Sequence, residues 1–223
     1  MIVVLGRPEV QRPQPDGDLA PGGLAAEVAL AIGRAGVAVE IVGSIGDDPE
    51  GDRVVVELGR AGVGHAALLR DPAARTPIVG QRAVRRLPRL DTADIELGLR
   101  YVPDCRVLVV TEVLPTAARD AAIEAAGYHA AAVVIVAPAG SEDAESLGDA
   151  VTLLERPRSE PHPDGAEGDE PQDEAVFAAF IADYAVRLDR GEPPSSAFAA
   201  ALGDSAWEPS LDEQDEAPDE ASL

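Results

Sequence analysis

Apolar residues along this chain fall into two kinds of run, and the two kinds alternate. Continuous apolar runs predict buried strands at 2–5, 37–42, 106–111, 132–136 and 150–154. Runs with helical spacing predict helices over 24–35, 49–60, 115–126, 141–147, 175–188 and 193–202. Strands buried on both faces and separated by amphipathic helices are typical of α/β proteins with a mainly parallel sheet. The pattern therefore predicts that fold class.

Weaker patterns lie between these runs. Residues 7–18 are polar and proline-rich, which predicts a loop or a weak hairpin. Residues 43–48 predict a turn, and residues 65–69 and 77–84 are short strand candidates. The carboxylates at Asp47 and Asp48 either bind a cation or end the turn as a helix cap, and the proline that follows favours the cap.

Two acidic segments divide the chain. Residues 155–174 hold eight acidic and two basic residues, and residues 208–223 hold seven acidic and no basic residue. Such segments bury too little apolar surface to offset the entropy of ordering. We therefore expect an α/β core at 1–155, a disordered acidic linker at 156–174, a helix pair packed on the core at 175–207, and a disordered acidic tail at 208–223.

The net charge of −23 limits the partners of the chain. A negative field repels phosphate, so we expect neither nucleic acid nor an anionic membrane as a partner. All 18 basic residues are arginines, which excludes a phosphate-binding or Schiff-base lysine. Cys105 is the one cysteine, and we expect it to be a small core residue. With no basic leader and no long apolar run, the sequence predicts a cytoplasmic protein.

Three stretches near the start of the chain resemble motifs of the ribokinase-like (PfkB) carbohydrate kinases. Residues 21–36 resemble the family's GG-x-x-A-N-x-A…R-L-G helix, and residues 42–51 resemble its V-G-x-V-G-D-D-x-F-G turn. Residues 58–63 match the L-x-x-x-G-V that follows the turn. The resemblance implies a three-layer α/β/α fold with a mainly parallel sheet, truncated relative to the family.

Later stretches resemble the same family in the same order. Residues 133–139 are similar to its V-I-L-N-P-A strand end, and residues 177–200 to the helix pair that closes its catalytic segment. Thr76 lies where the family often has a substrate-facing threonine. The resemblance implies that Gly22 and Gly23 let the backbone approach a sugar, and that Glu27 stands where the family has a sugar-binding Asn.

Each of these candidate residues also has a plainer interpretation. The glycine pair is also typical of a turn that starts a helix, and Glu27 of a solvated helix face, and composition alone favours these plainer interpretations. The arginines at 82, 85, 86 and 89 either dock an acidic partner or the chain's own acidic tail, or keep a strand edge solvated. The three histidines lack partners at metal-ligand spacing, so we expect no metal site.

The catalytic motifs of the family are missing. Its G-A-G-D motif, which supplies an anion hole and the catalytic Asp base, corresponds to Gln-Asp-Glu-Ala at 172–175. Ala175 thus occupies the base position, and loss of such a base typically costs ~10²- to 10⁴-fold in rate. The metal-linked N-x-x-E motif corresponds to Leu-Glu-Arg-Pro at 154–157, and the family's first-strand sugar-binding Asp aligns near Gln11. No catalytic residue is therefore assigned.

These departures predict a catalytically inactive member of the family, retained for binding a small molecule (a sugar or nucleoside) or for a regulatory role. One alternative is an active ATP-dependent kinase with an atypical site, acting on an alcohol group of a sugar or nucleoside. Another is a structural subunit that partners an intact kinase, and a homodimer is also possible. We expect no cofactor, and ATP with Mg²⁺ only if the active-kinase alternative holds.

Overall fold

The structure, a computed structural model, describes residues 1–12, 17–81, 86–138, 151–156 and 170–207, with only the backbone of 170–173. Eight strands lie in this part of the chain: β1 (Ile2–Leu5), β2 (Glu9–Gln11), β3 (Ala20–Gly22), β4 (Val39–Gly46), β5 (Gly64–Asp71), β6 (Val107–Val110), β7 (Ala132–Pro138) and β8 (Val151–Arg156). Six helices accompany them: α1 (Gly23–Arg34), α2 (Pro49–Arg60), α3 (Thr92–Arg100), α4 (Thr116–Tyr128), α5 (Glu170–Asp189) and α6 (Pro194–Asp204).

Six of the strands form one parallel sheet in the order β5-β4-β1-β6-β7-β8. β1 lies in the interior, where Ile2 pairs with Val39 of β4 on one side and with Val107 of β6 on the other. All four residues of β1 are fully buried, as expected for a strand covered on both faces. The predicted mainly parallel sheet is confirmed.

Helices cover both faces of the sheet and make three layers. Helices α1, α2, α5 and α6 pack with the side chains of Ile2 and Val4 on one face. Helices α3 and α4 pack with those of Val3 and Leu5 on the other face. This is the predicted three-layer α/β/α architecture, built in 223 residues.

The helix pair α5–α6 carries most of the aromatic side chains. The ring of Trp207 lies 4.3 Å from that of Phe180 and 5.2 Å from that of Phe177, measured between centroids. Phe198 of α6 meets Phe180 edge-on at 5.4 Å. At the other end of α5, Asp189 accepts hydrogen bonds from Arg106 and from the amino group of Met1. Both ends of α5 are thus fixed to the rest of the molecule.

The helix α3 is absent from the sequence prediction, although it starts with a reciprocal capping box between Asp91 and Asp94. The predicted strand at 77–84 is wrong over its described residues. Ile78 makes a single bridge to Val10, and a turn follows because Gly80 has a φ of 76° and Gln81 donates to the carbonyl of Ile78. β4 continues through 43–46, where a turn was predicted, because these residues pair with β5.

Several predictions lie wholly or partly outside the described residues. The predicted helix at 141–147, most of the acidic linker and the acidic tail are among them. The linker was predicted to extend to 174, whereas α5 already begins at Glu170. No helix in the described residues is long and apolar enough to cross a membrane.

Candidate functional site

The chain changes direction within the sheet between β1 and β6. The connections from β1 lead to β4 and β5 on one side, and the chain then crosses to β6, β7 and β8 on the other. At such a switch point the loops that leave the carboxyl ends of two neighbouring strands diverge, and a crevice opens where open α/β sheets bind ligands. Here Arg7 and Glu9, the first residue of β2, follow β1, and Thr111 and Glu112 follow β6.

A cavity of about 290 Å³ lies at this switch point. That volume is at the lower end of ligand pockets, which span about 300–1,000 Å³. It is lined by residues from four parts of the sheet edge: Arg7, Glu9, Leu24, Ala25, Thr111, Glu112, Val113 and Arg156. Four of these eight side chains are ionisable, so the cavity suits a polar ligand.

Arg7 and Glu112 form one ion pair of the cavity wall. Nη1 of Arg7 lies 2.9 Å from Oε1 of Glu112 and also donates to the carbonyl oxygen of Pro88 at 3.1 Å. Both side chains are only 20% exposed. Burial raises the pKa of Glu112, and the nearby Arg7 opposes the rise without cancelling it. Keeping the Glu112 carboxylate charged in this partly buried position therefore costs free energy of desolvation.

Glu9 and the pair Arg156–Glu174 complete the charged lining. Burial raises the pKa of Glu9, which Arg7 lowers and Glu174 raises further. Arg156, at the carboxyl end of β8, makes an ion pair with Glu174 of α5. Both arginines of the cavity thus already have carboxylate partners, while Glu9 has no ion-pair partner among the described residues.

The predicted ligand glycines lie beside this cavity, and the residues around them explain why they are glycines. Gly23 has a φ of 72°, a conformation that disfavours any side chain. A Cβ on Gly22 would lie 2.7 Å from Cβ of Gln11, and one on Gly23 would lie 2.8 Å from Cγ of Glu9. The side chains of Gln11 and Glu9 on β2 therefore leave no room for a Cβ at these two positions. This packing explains why both residues are glycines.

Glu27, the third predicted ligand residue, is half-buried on α1. Its Oε1 accepts a hydrogen bond from Nε2 of Gln11 at 3.0 Å. Burial raises the pKa of Glu27, and the hydrogen bond from Gln11 opposes that rise. The two positions at which the resemblance expected sugar contacts, Gln11 and Glu27, are thus brought together.

Ala175 is exposed and lies inside α5, which begins five residues earlier at Glu170. An anion hole needs amides that are free at the start of a helix, and only about the first four are. Residues 172 and 173 are among these four, whereas residues 174 and 175 lie beyond them, so the amides of 174 and 175 take part in the hydrogen bonds of the helix. The helix thus includes residues 172–175, which the sequence resemblance aligns with the family's phosphate-transfer motif.

Thr76 is 3% exposed and contacts the protein instead of a cavity. Its hydroxyl donates to Oδ1 of Asp48 at 2.7 Å, and its amide donates to Oδ2 at 2.8 Å. Asp48 also caps α2 by accepting from the amide of Gly51, so the predicted cap is confirmed. Burial alone would raise the pKa of Asp48, but these hydrogen bonds outweigh it and hold that pKa below its ordinary value.

The remaining candidates have structural roles or lie apart from the site. Cys105 is 4% exposed, as predicted, and burial raises its pKa to about 11. Nδ1 of His65 lies 3.0 Å from the carbonyl oxygen of Val63. In the described part of the chain, no group of three or more potential ligand side chains could hold a metal ion. Of the predicted arginine cluster, only Arg86 and Arg89 are described.

A larger cleft of about 1,140 Å³ lies on the β4–β5 side of the sheet. Arg70 in its wall makes an ion pair with Asp52, and Arg86 lies 3.9 Å from Asp71. Its lining extends to Pro115 and Ala118 at the start of α4, and neither this cleft nor the smaller cavity is lined by Gly22, Gly23 or Glu27. Only the smaller cavity is lined by Leu24 and Ala25, which directly follow the glycine pair. We therefore place the candidate ligand site in the smaller cavity.

Sequence reasoning did not identify Arg7, Glu9 or Glu112 as site residues. The available signal was positional, because Glu9 and Glu112 closely follow β1 and β6, two neighbouring interior strands of the sheet. Using it required the strand order, which places β1 beside β6 although about 100 residues separate them.

Comparison with known proteins gives matches of two kinds. The model of the pfkB family carbohydrate kinases matches residues 2–81. A search of curated protein sequences finds no match. Among solved structures, the Xylella fastidiosa fructokinase with bound ATP is similar with a TM-score of 0.59 and 17% identity, over 90% of this chain and 85% of that one.

Two further kinase structures are similar over comparable lengths. The Halothermothrix orenii fructokinase has a TM-score of 0.57 and 18% identity, over 95% of this chain and 100% of that one. The Arabidopsis thaliana ribokinase complexed with ribose and ATP has a TM-score of 0.58 and 14% identity, over 90% and 89%. Residues 2–81 thus match the pfkB carbohydrate kinase family, and the chain has the ribokinase-like fold.

Proposed function

We propose that this protein binds a small polyhydroxylated molecule, a sugar or nucleoside, at the switch-point cavity and does not transfer phosphate to it. The carrying observation is the cavity itself, which lies between the carboxyl ends of β1 and β6 and is lined by the carboxylates of Glu9 and Glu112. Carboxylates accept hydrogen bonds from hydroxyl groups, and such bonds to a charged group are worth about 1.5–3 kcal/mol.

The pair Gln11–Glu27 adds acceptors next to the glycine turn. Nε2 of Gln11 donates to Glu27 and to the carbonyl oxygen of Pro21, at 3.0 and 3.2 Å, so both amide protons have partners. The amide oxygen of Gln11 and the second carboxylate oxygen of Glu27 remain as acceptors. A sugar, which donates through several hydroxyls, matches a site that offers mainly acceptors.

The absence of phosphate transfer is supported by α5. Residues 174 and 175 lie within this helix, where their amides serve the helix and not an anion. Glu174 places a carboxylate nearby, which repels phosphate even though Arg156 partly neutralises it. ATP and Mg²⁺ are therefore not required by this proposal.

Isothermal titration with ribose, fructose and adenosine, each with and without ATP-Mg²⁺, tests the proposal. We expect binding of at least one of the three, unchanged by ATP-Mg²⁺, and no binding of ATP-Mg²⁺ tighter than millimolar. Glu9→Gln keeps the side-chain shape but removes the charge, and it should weaken binding about 10-fold or more. Glu124→Gln, an exposed change on α4, is the matched control and should leave binding unchanged.

The alternatives give different results in the same experiments. ADP release from ATP-Mg²⁺ that depends on a sugar or nucleoside would identify an active kinase. A stable complex with an intact kinase, without any ligand binding, would identify a structural subunit. Either result, or equal affinities of the Glu9→Gln and Glu124→Gln proteins, would overturn the proposal.

A further inference from the structure

Asp48 accepts three hydrogen bonds from two separate parts of the chain. Its Oδ1 accepts from the amide of Gly51 at 2.8 Å and from the hydroxyl of Thr76 at 2.7 Å, and its Oδ2 accepts from the amide of Thr76 at 2.8 Å. The hydroxyl of Thr76 in turn accepts from the amide of Gly46 at 3.0 Å. The pair thus joins the end of β4, the start of α2 and the segment after β5.

Two glycines make room for this pair. A Cβ on Gly46 would lie 2.5 Å from Oδ2 of Asp48 and 2.6 Å from the amide nitrogen of Thr76. A Cβ on Gly51 would lie 3.0 Å from Oγ1 of Thr76 and would clash with the carbonyl oxygen of Gly46. Asp48 and Thr76 are 6% and 3% exposed, so water does not compete for these hydrogen bonds.

The residues that follow Thr76 hold the strand β2. The amide of Val10 donates to the carbonyl of Pro77 at 2.9 Å, and the amide of Val79 donates to the carbonyl of Val10 at 2.8 Å. Val10 lies between Glu9 and Gln11, whose side chains face the glycine turn. Residues 77–79 are therefore the physical link between the buried pair and the acceptors of the candidate site.

We propose that Asp48 and Thr76 are positioning residues: they fix residues 77–79 against β2 and thereby set where Glu9 and Gln11 stand. Thr76 contacts no ligand and acts through the backbone of 77–79. This assignment replaces the sequence interpretation of Thr76 as substrate-facing. Its consequence for ligand affinity rests on the proposed function, whereas its consequence for residues 77–79 does not.

Hydrogen exchange of the ligand-free protein tests the positioning directly. In Thr76→Val, the shape is kept but the hydroxyl is lost, so the amide of Gly46 and Asp48 each lose a partner. We expect the amides of Val10 and Val79 to exchange about 10-fold faster or more, because local opening becomes easier there. Peptides that cover β6 should keep their protection.

Three further variants provide controls. Thr76→Ser retains the hydroxyl and should restore slow exchange. Thr152→Val removes a different threonine hydroxyl, one that lies 3.0 Å from that of Tyr184, and should leave Val10 and Val79 protected. Asp48→Asn retains an acceptor for Gly51 but weakens the contact with Thr76, and it gives the same test if Thr76→Val does not fold.

The outcomes separate this inference from the proposed function. Unchanged protection at Val10 and Val79 in Thr76→Val, or a uniform loss of protection that includes β6, would overturn the positioning role. If the wild-type protein binds ribose, fructose or adenosine, Thr76→Val should weaken that binding about 10-fold and Thr76→Ser should restore it. If the wild-type protein binds none of the three, the proposed function fails, and the exchange result still decides the role of Thr76.

Discussion

Gln11 on β2 donates a hydrogen bond to Glu27 on α1, with 3.0 Å between Nε2 and Oε1. The bond connects the antiparallel strand pair β2–β3 to α1, the helix that follows the glycine turn, and it holds the Glu27 carboxylate in a half-buried position. Burial raises the pKa of Glu27, Gln11 lowers it, and the nearby Glu174 raises it again. The charged form of Glu27 is therefore less favourable in the folded protein than in the unfolded chain.

The raised pKa of Glu27 should make the stability of the protein depend on pH. Because the pKa of Glu27 is raised on folding, the folded state binds more protons above the ordinary pKa, and this residue's contribution to stability falls as pH rises. Glu27→Gln removes the titrating group. We therefore expect its effect on the free energy of unfolding to be more stabilising at pH 7 than at pH 4. Thermal unfolding between pH 4 and 8, followed by the fluorescence of Trp207, measures the difference.

An exposed glutamate provides the comparison for that series. Glu96→Gln on α3 should change the melting temperature equally at pH 4 and pH 7, because Glu96 is exposed. A Glu27→Gln protein that is less stable than wild type at pH 7 and equal to it at pH 4 would show that the carboxylate stabilises the fold, contrary to this expectation.

The ion pair between Arg7 and Glu112 should be energetically coupled. Both side chains are 20% exposed, and removal of one partner leaves the other partly buried without its countercharge. In a double-mutant cycle of Arg7→Met and Glu112→Gln, we expect a coupling free energy of about 1 kcal/mol or more at pH 7. The coupling should shrink at low pH, where Glu112 becomes protonated. Urea unfolding of the four proteins measures it.

The surface pair Arg60–Glu57 serves as the control cycle. Its atoms are 2.6 Å apart, but Arg60 is 68% exposed, and such pairs on helices are worth about 0.3–0.5 kcal/mol. Equal coupling in the two cycles would mean that burial of Arg7 and Glu112 adds nothing to their interaction.

The aromatic cluster between α5 and α6 should carry much of the stability of the C-terminal helix pair. Phe180 is fully buried, and its ring lies within 6.4 Å of four others, those of Phe177, Tyr184, Phe198 and Trp207. Phe180→Ala should therefore cost about 3–5 kcal/mol in the free energy of unfolding. Tyr101→Ala, at a site that is 67% exposed, should cost no more than about 0.5 kcal/mol. Denaturant unfolding compares the two.

Local signals predicted the helices and strands where one pattern dominated. The helix at 49–60 was predicted with its observed bounds, because Pro49 and the cap at Asp48 mark its start and Val54 and Leu58 its buried face. Helix α3 was missed although Asp91, Asp94, Ile95 and Leu99 carry a cap and an apolar spacing, since its nine residues make a weak periodic signal. Continuation of β4 depends on pairing with β5, which no local signal contains.

The site was less predictable because it is assembled from distant residues. Gly22, Gly23 and Glu27 lie in one motif and were identified together, but Arg7 and Glu112 meet across 105 positions of the chain. Gln11 and Glu27 were identified one at a time, and only the antiparallel pairing of β2 with β3 places them within hydrogen-bond distance. Thr76 was matched to a family position that is often substrate-facing, because the sequence did not reveal its contact with Asp48.

Restoring the missing aspartate should not restore phosphate transfer. Ala175 is exposed and lies within α5, so Ala175→Asp adds a carboxylate to the flank of a helix and frees no backbone amide for an anion. Catalysis of this kind needs both a base and preorganised donors for the developing charge, and loss of the donors alone typically costs ~10²- to 10³-fold. We expect no ADP release above background from ATP-Mg²⁺ with ribose, fructose or adenosine. Sugar-dependent ADP release by the Ala175→Asp protein would contradict this expectation. It would mean that the start of α5 opens into an anion-binding loop when ATP is present, and that the single missing aspartate accounts for the lack of phosphate transfer.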